Sequence, residues 1–307
     1  MTHYKLTFQL GDLILFSKTI RVNTEHPAMS LAEQPLSDLS QLNFTQEDNP
    51  QFFPRVFVQQ ASPFNKISKH ANQIIYVRAR LNNYAINLER FNSFEQYLAK
   101  FSAKSRSTLK RKVKKAVNSG VIMRTFCTPD DVDIFLRDAR FIGNKTYQKK
   151  LFDAAIPETS QFKEAVIKQA QQGCLLAAIL YKENEPIAYL YCPQKNQSYM
   201  YTYLGYLPKY QQYSPGTVLQ YLLLEHIFSL TNKAKYFDFT EGDGEHKKLF
   251  SSELVSCCNC LVINNNSSDY FWLKLQCYFD TFSAFIGKIL SKLRVKQTVK
   301  RLIRRST

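Results

Sequence analysis

The chain has 307 residues, 45% of them hydrophobic and 14% aromatic, with a formal net charge of +16. That composition excludes disorder over most of the length and suffices for two ordinary domains. Two segments, Lys104–Lys115 with seven basic residues and Thr281–Thr307 with eight, hold no acid and together carry +15 of the charge, which excludes an evenly basic surface and points to two local anionic contacts. The opening residues, MTHYKLTFQLGDLILF, lack the basic region and long apolar run of a secretory signal. No run reaches the roughly 18 apolar residues of a spanning helix. Seven cysteines, an odd number, read as free thiols in a reducing compartment, so a cytoplasmic location is expected.

In chain order, Tyr4–Leu10 and Leu13–Val22 read as a hairpin around Gly11-Asp12. Asn23–Pro54 is polar and proline-bearing, a long connection or flap that is expected to line the acceptor side. Pro54–Gln60, Gln73–Ala79 and Tyr84–Leu88 read as strands. A helix capped by Asn92 or Ser93 places Phe94, Tyr97, Leu98 and Phe101 on one face. A second, Ser102–Gly120, sets Leu109, Val113, Ala116 and Val117 against a basic face that includes Arg106, Lys110 and Lys114; it is either a solvated face or an anion contact. Val121–Phe126 is a strand. Thr128-Pro129-Asp130-Asp131 opens a helix with Val132, Phe135, Leu136 and Ala139 inward, running toward Asn144–Gln148. Another helix lies near Ser160–Gln172.

A meander of Cys174–Tyr181, Ile187–Cys192 and Tyr199–Tyr206 follows, then a loop broken at Ser214-Pro215-Gly216. Beyond it come a helix of nearly uniform apolarity (Thr217–Leu230), a strand (Tyr236–Phe239) and an acidic turn (Glu241–Lys247). Strand, loop, buried helix and strand form a crossover unit joining parallel neighbours. Both of its loops leave one sheet edge, where open α/β sheets bind ligands. Val255–Asn264 is the last strand.

This order resembles the GNAT superfamily of acyltransferases, and more closely the branch containing the CelD-type acetyltransferases and, more distantly, the Fem aminoacyltransferases. The matching text is the basic helix Ser102–Gly120, Lys145-Thr146-Tyr147-Gln148, Pro186-Ile187-Ala188, Gly205-Tyr206 with Tyr210, Ser214-Pro215-Gly216-Thr217-Val218-Leu219, Asp238-Phe239, and Gly242-Asp243 with Lys247. The fold class implied is α+β (α/β): a GNAT-like mixed, largely antiparallel sheet flanked by helices, with a degenerate N-terminal GNAT-like half and a C-terminal amphipathic basic helix. The expected division is 1–120 as the degenerate substrate half, 121–268 as the acyltransferase domain and 269–307 as the basic helix.

The resemblance implies an acyl-CoA donor, most simply acetyl-CoA, an amine acceptor on a sugar or surface-polymer precursor, and no metal. A helix N-terminus offers unpaired N–H donors to a pyrophosphate. Here the cofactor-binding candidates are Ser214, Gly216, Thr217 and Val218, with Arg106 reaching a phosphate; Pro215 donates nothing. The alternative for this loop is an N1 proline on a buried helix capped by Ser214. The catalytic candidates are Asp238 and Asp243 as base or acceptor-binding groups, Lys247 as an anion or substrate anchor, and Tyr147 as proton donor with Tyr203 second. His246 has a suitable pKa, but the family more often has tyrosine there. Cys257, Cys258 and Cys260 read as buried strand cysteines, since alternation splits them between two faces, and His226 reads as a core histidine.

Phe282, Phe285, Ile286, Ile289, Leu290 and Leu293 make an amphipathic stripe ahead of the basic tail, to be docked on the domain or laid on an anionic membrane surface at its inner face. Two other functions stay open: a Fem-like aminoacyl-tRNA-dependent transferase, for which the basic helix would contact the polyanion, and a non-catalytic protein that keeps the fold.

Overall fold

The computed structural model of the protein describes residues 2–10, 13–22, 24–42, 49–61, 65–145 and 156–292. The chain forms two compact units, one built from Met1–Met29, Glu33–Asn82 and Val255–Thr307, the other from Ser30–Ala32 and Asn83–Leu254. These cut the chain at places other than Gly120 and residue 268.

Period-two alternation builds the first unit. Strands β1 (Thr2–Leu10) and β2 (Leu13–Val22) pair antiparallel as expected. The segment read as a long connection contains β3 (Thr24–Glu25), which pairs parallel with β4 (Gln51–Val58). After β5 (Ile67–His70) comes β6 (Gln73–Asn87), a single strand where two were expected. Polar residues at its middle, from Arg78 to Asn83, interrupt the apolar pattern without ending the strand. Ile74 and Tyr76 face one core with Leu6, Phe8, Ile20 and Val22, while Ile75 and Val77 face another with Phe53, Val56 and Val58. Burial on both faces is why this stretch is continuously apolar.

The chain enters the second unit within β6. Helix α1 (Phe94–Ala99) is capped by Ser93, whose Oγ accepts from the Gln96 amide at 3.1 Å. In α2 (Ala103–Asn118) Leu109 and Ala116 are buried, but Val117, read as inward, is exposed. Strand β7 (Val121–Phe126), α3 (Val132–Asn144) and α4 (Ser160–Gln171) follow, and α3 buries all four residues expected of it. Then come β8 (Ala177–Lys182), β9 (Glu185–Tyr191), the short β10 (Gln194–Lys195), β11 (Ser198–Met200) and β12 (Tyr203–Tyr206). Strands β12, β9, β8 and β7 form an antiparallel sheet in that order.

Helix α5 (Pro215–Ser229) is apolar all round because neighbours cover it: Val218, Leu219, Leu223, Leu224 and Ile227 are fully buried. His226, read as a core histidine, is only half-buried. Strand β13 (Tyr236–Glu241) and the short α6 (Glu245–Phe250) complete the unit. The chain then returns through β14 (Glu253–Asn264) to the first unit and ends its described part in α7 (Asp269–Lys292). On β14, Cys258 and Cys260 share a face with their sulfurs 3.6 Å apart. The mixed sheets flanked by helices are the GNAT-like fold class expected.

Candidate active site

The stretch Tyr199–Tyr206, expected as one strand, falls in two, β11 (Ser198–Met200) and β12 (Tyr203–Tyr206). Strand β11 pairs parallel with β13, Tyr199 opposite Phe237 and Met200 opposite Asp238, as the crossover requires. Strand β12 instead pairs antiparallel with β9. The switch falls between adjacent residues: the Tyr201 amide donates to the Asp238 carbonyl at 2.8 Å, and the Thr202 amide donates to the Tyr191 carbonyl at 3.1 Å. Consecutive N–H groups of a strand point to opposite sides, so this step separates the two strand neighbours. The start of α5 lies against β12: a Cβ placed on Gly216 would lie 3.8 Å from both Leu204 and Tyr206.

A cavity of about 340 Å³ occupies this place. Leu204 and Tyr206 of β12 form one side, Ser214, Gly216 and Thr217 the helix head, and Gln220 and His246 complete the wall. Ser214 precedes the helix in the left-handed region, φ 51°, and its side chain makes no capping bond. Val218, a cofactor-binding candidate, already donates its amide to the Ser214 carbonyl at 3.0 Å. That leaves the Gly216 and Thr217 amides, in the first helical turn where N–H groups have no intrahelical acceptor. Gln220 is buried, yet its Nε2 has no partner among the described residues. The same holds for the hydroxyl of Tyr201, whose ring lies 5.7 Å from that of His246.

The acidic turn after β13 is built differently. Asp238 is fully buried, and its Oδ1 accepts from Asn83 Nδ2 and from the Thr240 amide, both at 2.9 Å. Those bonds hold Thr240 at φ 61° and carry the chain to Gly242 at φ 99°, a left-handed conformation that favours glycine. Asp243 accepts from the Tyr84 hydroxyl at 2.8 Å. Lys247 donates to the carbonyls of Thr240 at 3.3 Å and Glu241 at 2.9 Å. None of Asp238, Asp243 and Lys247 lines the cavity; the residue of this turn that does is His246. Burial against its neighbours, then the adjacent Lys247 cation, lowers the His246 pKa below the ordinary histidine value. Gly244 leaves room for the ring, because a Cβ there would sit 3.1 Å from His246 Cε1.

Arg106 stands apart from the cavity, in a groove of about 450 Å³ along α2 with Lys110, Arg111 and Lys114. Tyr203 is half-buried, with its ring 5.9 Å from Phe162 and 6.1 Å from Tyr191, and burial raises its pKa. Tyr147 lies outside the described residues. Gln220 and Tyr206 were not anticipated. The signal for Gln220 was present: it is the one amide in the apolar run Val218–Leu224.

Residues 103–248 match the family model described as Acetyltransf_6, Acetyltransferase (GNAT) domain. No curated protein matches the chain. Among solved structures, the chain is similar to the C-terminal domain (DUF2156) of a putative lysylphosphatidylglycerol synthetase from Agrobacterium fabrum, with TM-score 0.47 and 10% identity over 68% of this chain and 66% of that one. It is also similar to L-PGS from Bacillus licheniformis, with TM-score 0.45 and 13% identity over 74% and 71% of the two chains. FemX gives TM-score 0.43 and 12% identity over 62% and 64%. The segment that matches the GNAT acetyltransferase family model is the one that carries the strand switch, the head of α5 and the acidic turn.

Proposed function

We propose that the protein transfers an acyl group, acetyl in the simplest case, from acyl-CoA to an amine, and that the cavity at the head of α5 is where it does so. One observation carries this reading: the free amides of Gly216 and Thr217, the unpartnered Nε2 of Gln220 and the neutral-leaning imidazole of His246 border the same cavity. The residues present fit an anionic donor with an amide-bearing arm. Backbone N–H groups at the start of a fifteen-residue helix suit a pyrophosphate, and a buried amide donor suits a carbonyl oxygen. Acyl-CoA supplies the activated acyl carbon and a thiolate leaving group.

The chain's own residues do the rest. Gly216 and Thr217 hold the phosphates, and Gln220 Nε2 orients a carbonyl. His246, deprotonated near neutral pH, takes the proton from the attacking amine. Tyr206 is the phenol in the cavity wall, available to protonate the departing sulfur, with Tyr147 a second candidate from sequence. Asp238, Asp243 and Lys247 take supporting roles: they fix the turn that presents His246, and Asp243 is exposed enough to meet an acceptor ammonium. A sugar or surface-polymer amine as acceptor, the CelD-type reading, rests on the sequence resemblance. No metal enters this mechanism, and the seven cysteines, none of them in a disulfide, suit a reducing cytoplasmic compartment.

Calorimetric titration with CoA and acetyl-CoA, on the parent and on Gly216→Asp, tests the reading. Binding that the aspartate abolishes supports it; equal binding by both proteins, or none by the parent, overturns it. A second reading, an aminoacyl-tRNA donor, is favoured by the basic groove of α2, which would serve as a second anionic contact through Arg106. Salt-sensitive tRNA binding without CoA binding selects it. Binding of neither leaves a non-catalytic protein of the same fold.

A further inference from the structure

Helix α7 has two apolar faces, and only one is used by the fold. On the inner face Leu273 is fully buried, as is Gln276, whose Nε2 donates to the Thr7 carbonyl at 3.2 Å and to Asp280 at 2.8 Å. Arg78 also donates to Asp280, at 3.0 Å. The helix is therefore docked by its own polar and apolar anchors within the first unit.

The outer face carries Phe271, Tyr278, Phe282 and Phe285, exposed by 63%, 75%, 52% and 60%. At 3.6 residues per turn these four lie within an arc of about 60° and along about 21 Å of helix. Four large aromatic rings in one exposed line need a partner, since single exposed apolar residues are ordinary but a contiguous stripe is not. Nearby in the same unit, Leu13, Ile14, Leu15 and Phe16 of β2 are exposed as well. Of these, Phe16 reaches the helix through the core: it stacks on the fully buried Phe8 at 4.3 Å, and Phe8 meets Phe279 at 5.7 Å.

Charge decides what kind of partner fits. The sequence from Thr281 to Thr307 holds Lys288, Lys292, Arg294, Lys296, Lys300, Arg301, Arg304 and Arg305 and no acid. Aromatic rings on one side of a helix that continues into a basic segment suit an interface where apolar chains lie beneath anionic headgroups. No helix among the described residues is long and apolar enough to cross a membrane.

We propose that the outer face of α7, with the exposed Leu13, Ile14, Leu15 and Phe16 of β2, docks this protein on an anionic lipid surface. Docking on the protein and docking on lipid, set as alternatives by the sequence, are here the work of opposite faces of one helix. Membrane docking and acyl transfer fail separately, because calorimetry with CoA needs no vesicle and sedimentation with vesicles needs no CoA.

The test is co-sedimentation of the full chain at physiological salt with vesicles of phosphatidylcholine alone or of phosphatidylcholine with phosphatidylglycerol. The expected result is partition onto the anionic vesicles only, reduced at least about tenfold by Phe282→Glu with Phe285→Glu. It should also be reduced by Lys300→Glu, Arg301→Glu, Arg304→Glu and Arg305→Glu together, with unfolding midpoints like the parent's. Parent protein that stays in the supernatant with anionic vesicles overturns the proposal without recourse to a variant. So does a parent dimer in sedimentation velocity that the double phenylalanine variant turns into monomer, which assigns the face to a second copy of the chain.

Discussion

Two loops of the second unit, the head of α5 and the turn after β13, both look like binding loops in the sequence, and their polar groups have opposite fates. In the turn, the charged groups are spent inside the protein: Asp238 on Asn83 and the Thr240 amide, Asp243 on the Tyr84 hydroxyl, Lys247 on two carbonyls. At the head of α5, Ser214 makes no cap, Pro215 has no N–H, and Gln220 Nε2 has no partner. A buried polar group with its hydrogen bonds made supports shape, and one without them calls for a water, an ion or a ligand, because leaving the bond unmade costs free energy. The acidic residues that look most chemical are bonded within the protein, and in the proposed function the loop that looks depleted in glycine is the receptor. His246 belongs to both, carried by the turn and facing the cavity.

This contrast can be broken most decisively at Asp238. Asp238→Ala removes a buried acceptor from two donors, so unfolding in urea should show a loss of about 3 kcal/mol. A variant as stable as the parent that has lost only turnover would return Asp238 to the chemistry. Next is His246→Gln, expected to lower kcat by about a hundredfold with CoA affinity unchanged.

In the parent, kcat/KM should rise with pH through a pKa below the usual histidine value and then level, because the imidazole must be deprotonated to act and its folded pKa is lowered. That limb should vanish in His246→Gln; its persistence would point to a different base. Gly216→Asp should weaken CoA at least about tenfold by placing a carboxylate beside the phosphates. Its stability should stay within about 1 kcal/mol of the parent, since a Cβ there has 3.8 Å of clearance and an acid suits a helix start. The smallest effect is at Lys247→Met, which should cost about 1 kcal/mol for the lost bonds to two carbonyls. It should also move the acid limb to higher pH, because the Lys247 cation helps hold the His246 pKa down.

Much of the fold was legible because it rests on local periodicity. The faces of α3 and the apolar cylinder of α5 follow from residue spacing, as does the parallel pairing of β11 with β13 from the order of elements. The continuity of β6 was hidden by polar residues at its middle. The division of 198–206 into two strands was hidden because an extended segment looks the same whichever neighbour its amides reach. Site residues fared by the same rule. Ser214, Gly216 and Thr217, which line the cavity, were singled out through the helix start, a local feature. Gln220 was passed over as one residue of a buried helix, and His246 was ranked below residues whose charge attracted attention.

The sequence by itself determined most of the elements, their order, the two basic segments and the place of the candidate loops, since each depends on residues within a few turns or a few strand positions of one another. Only the tertiary structure decided which polar groups are satisfied and which remain for a ligand. Asn83 lies 155 residues from Asp238, and Tyr84 lies 159 from Asp243. No local pattern records that these partners meet, and it is their meeting that turns a cluster of charges into a scaffold and leaves His246 and the first amides of α5 facing the cavity.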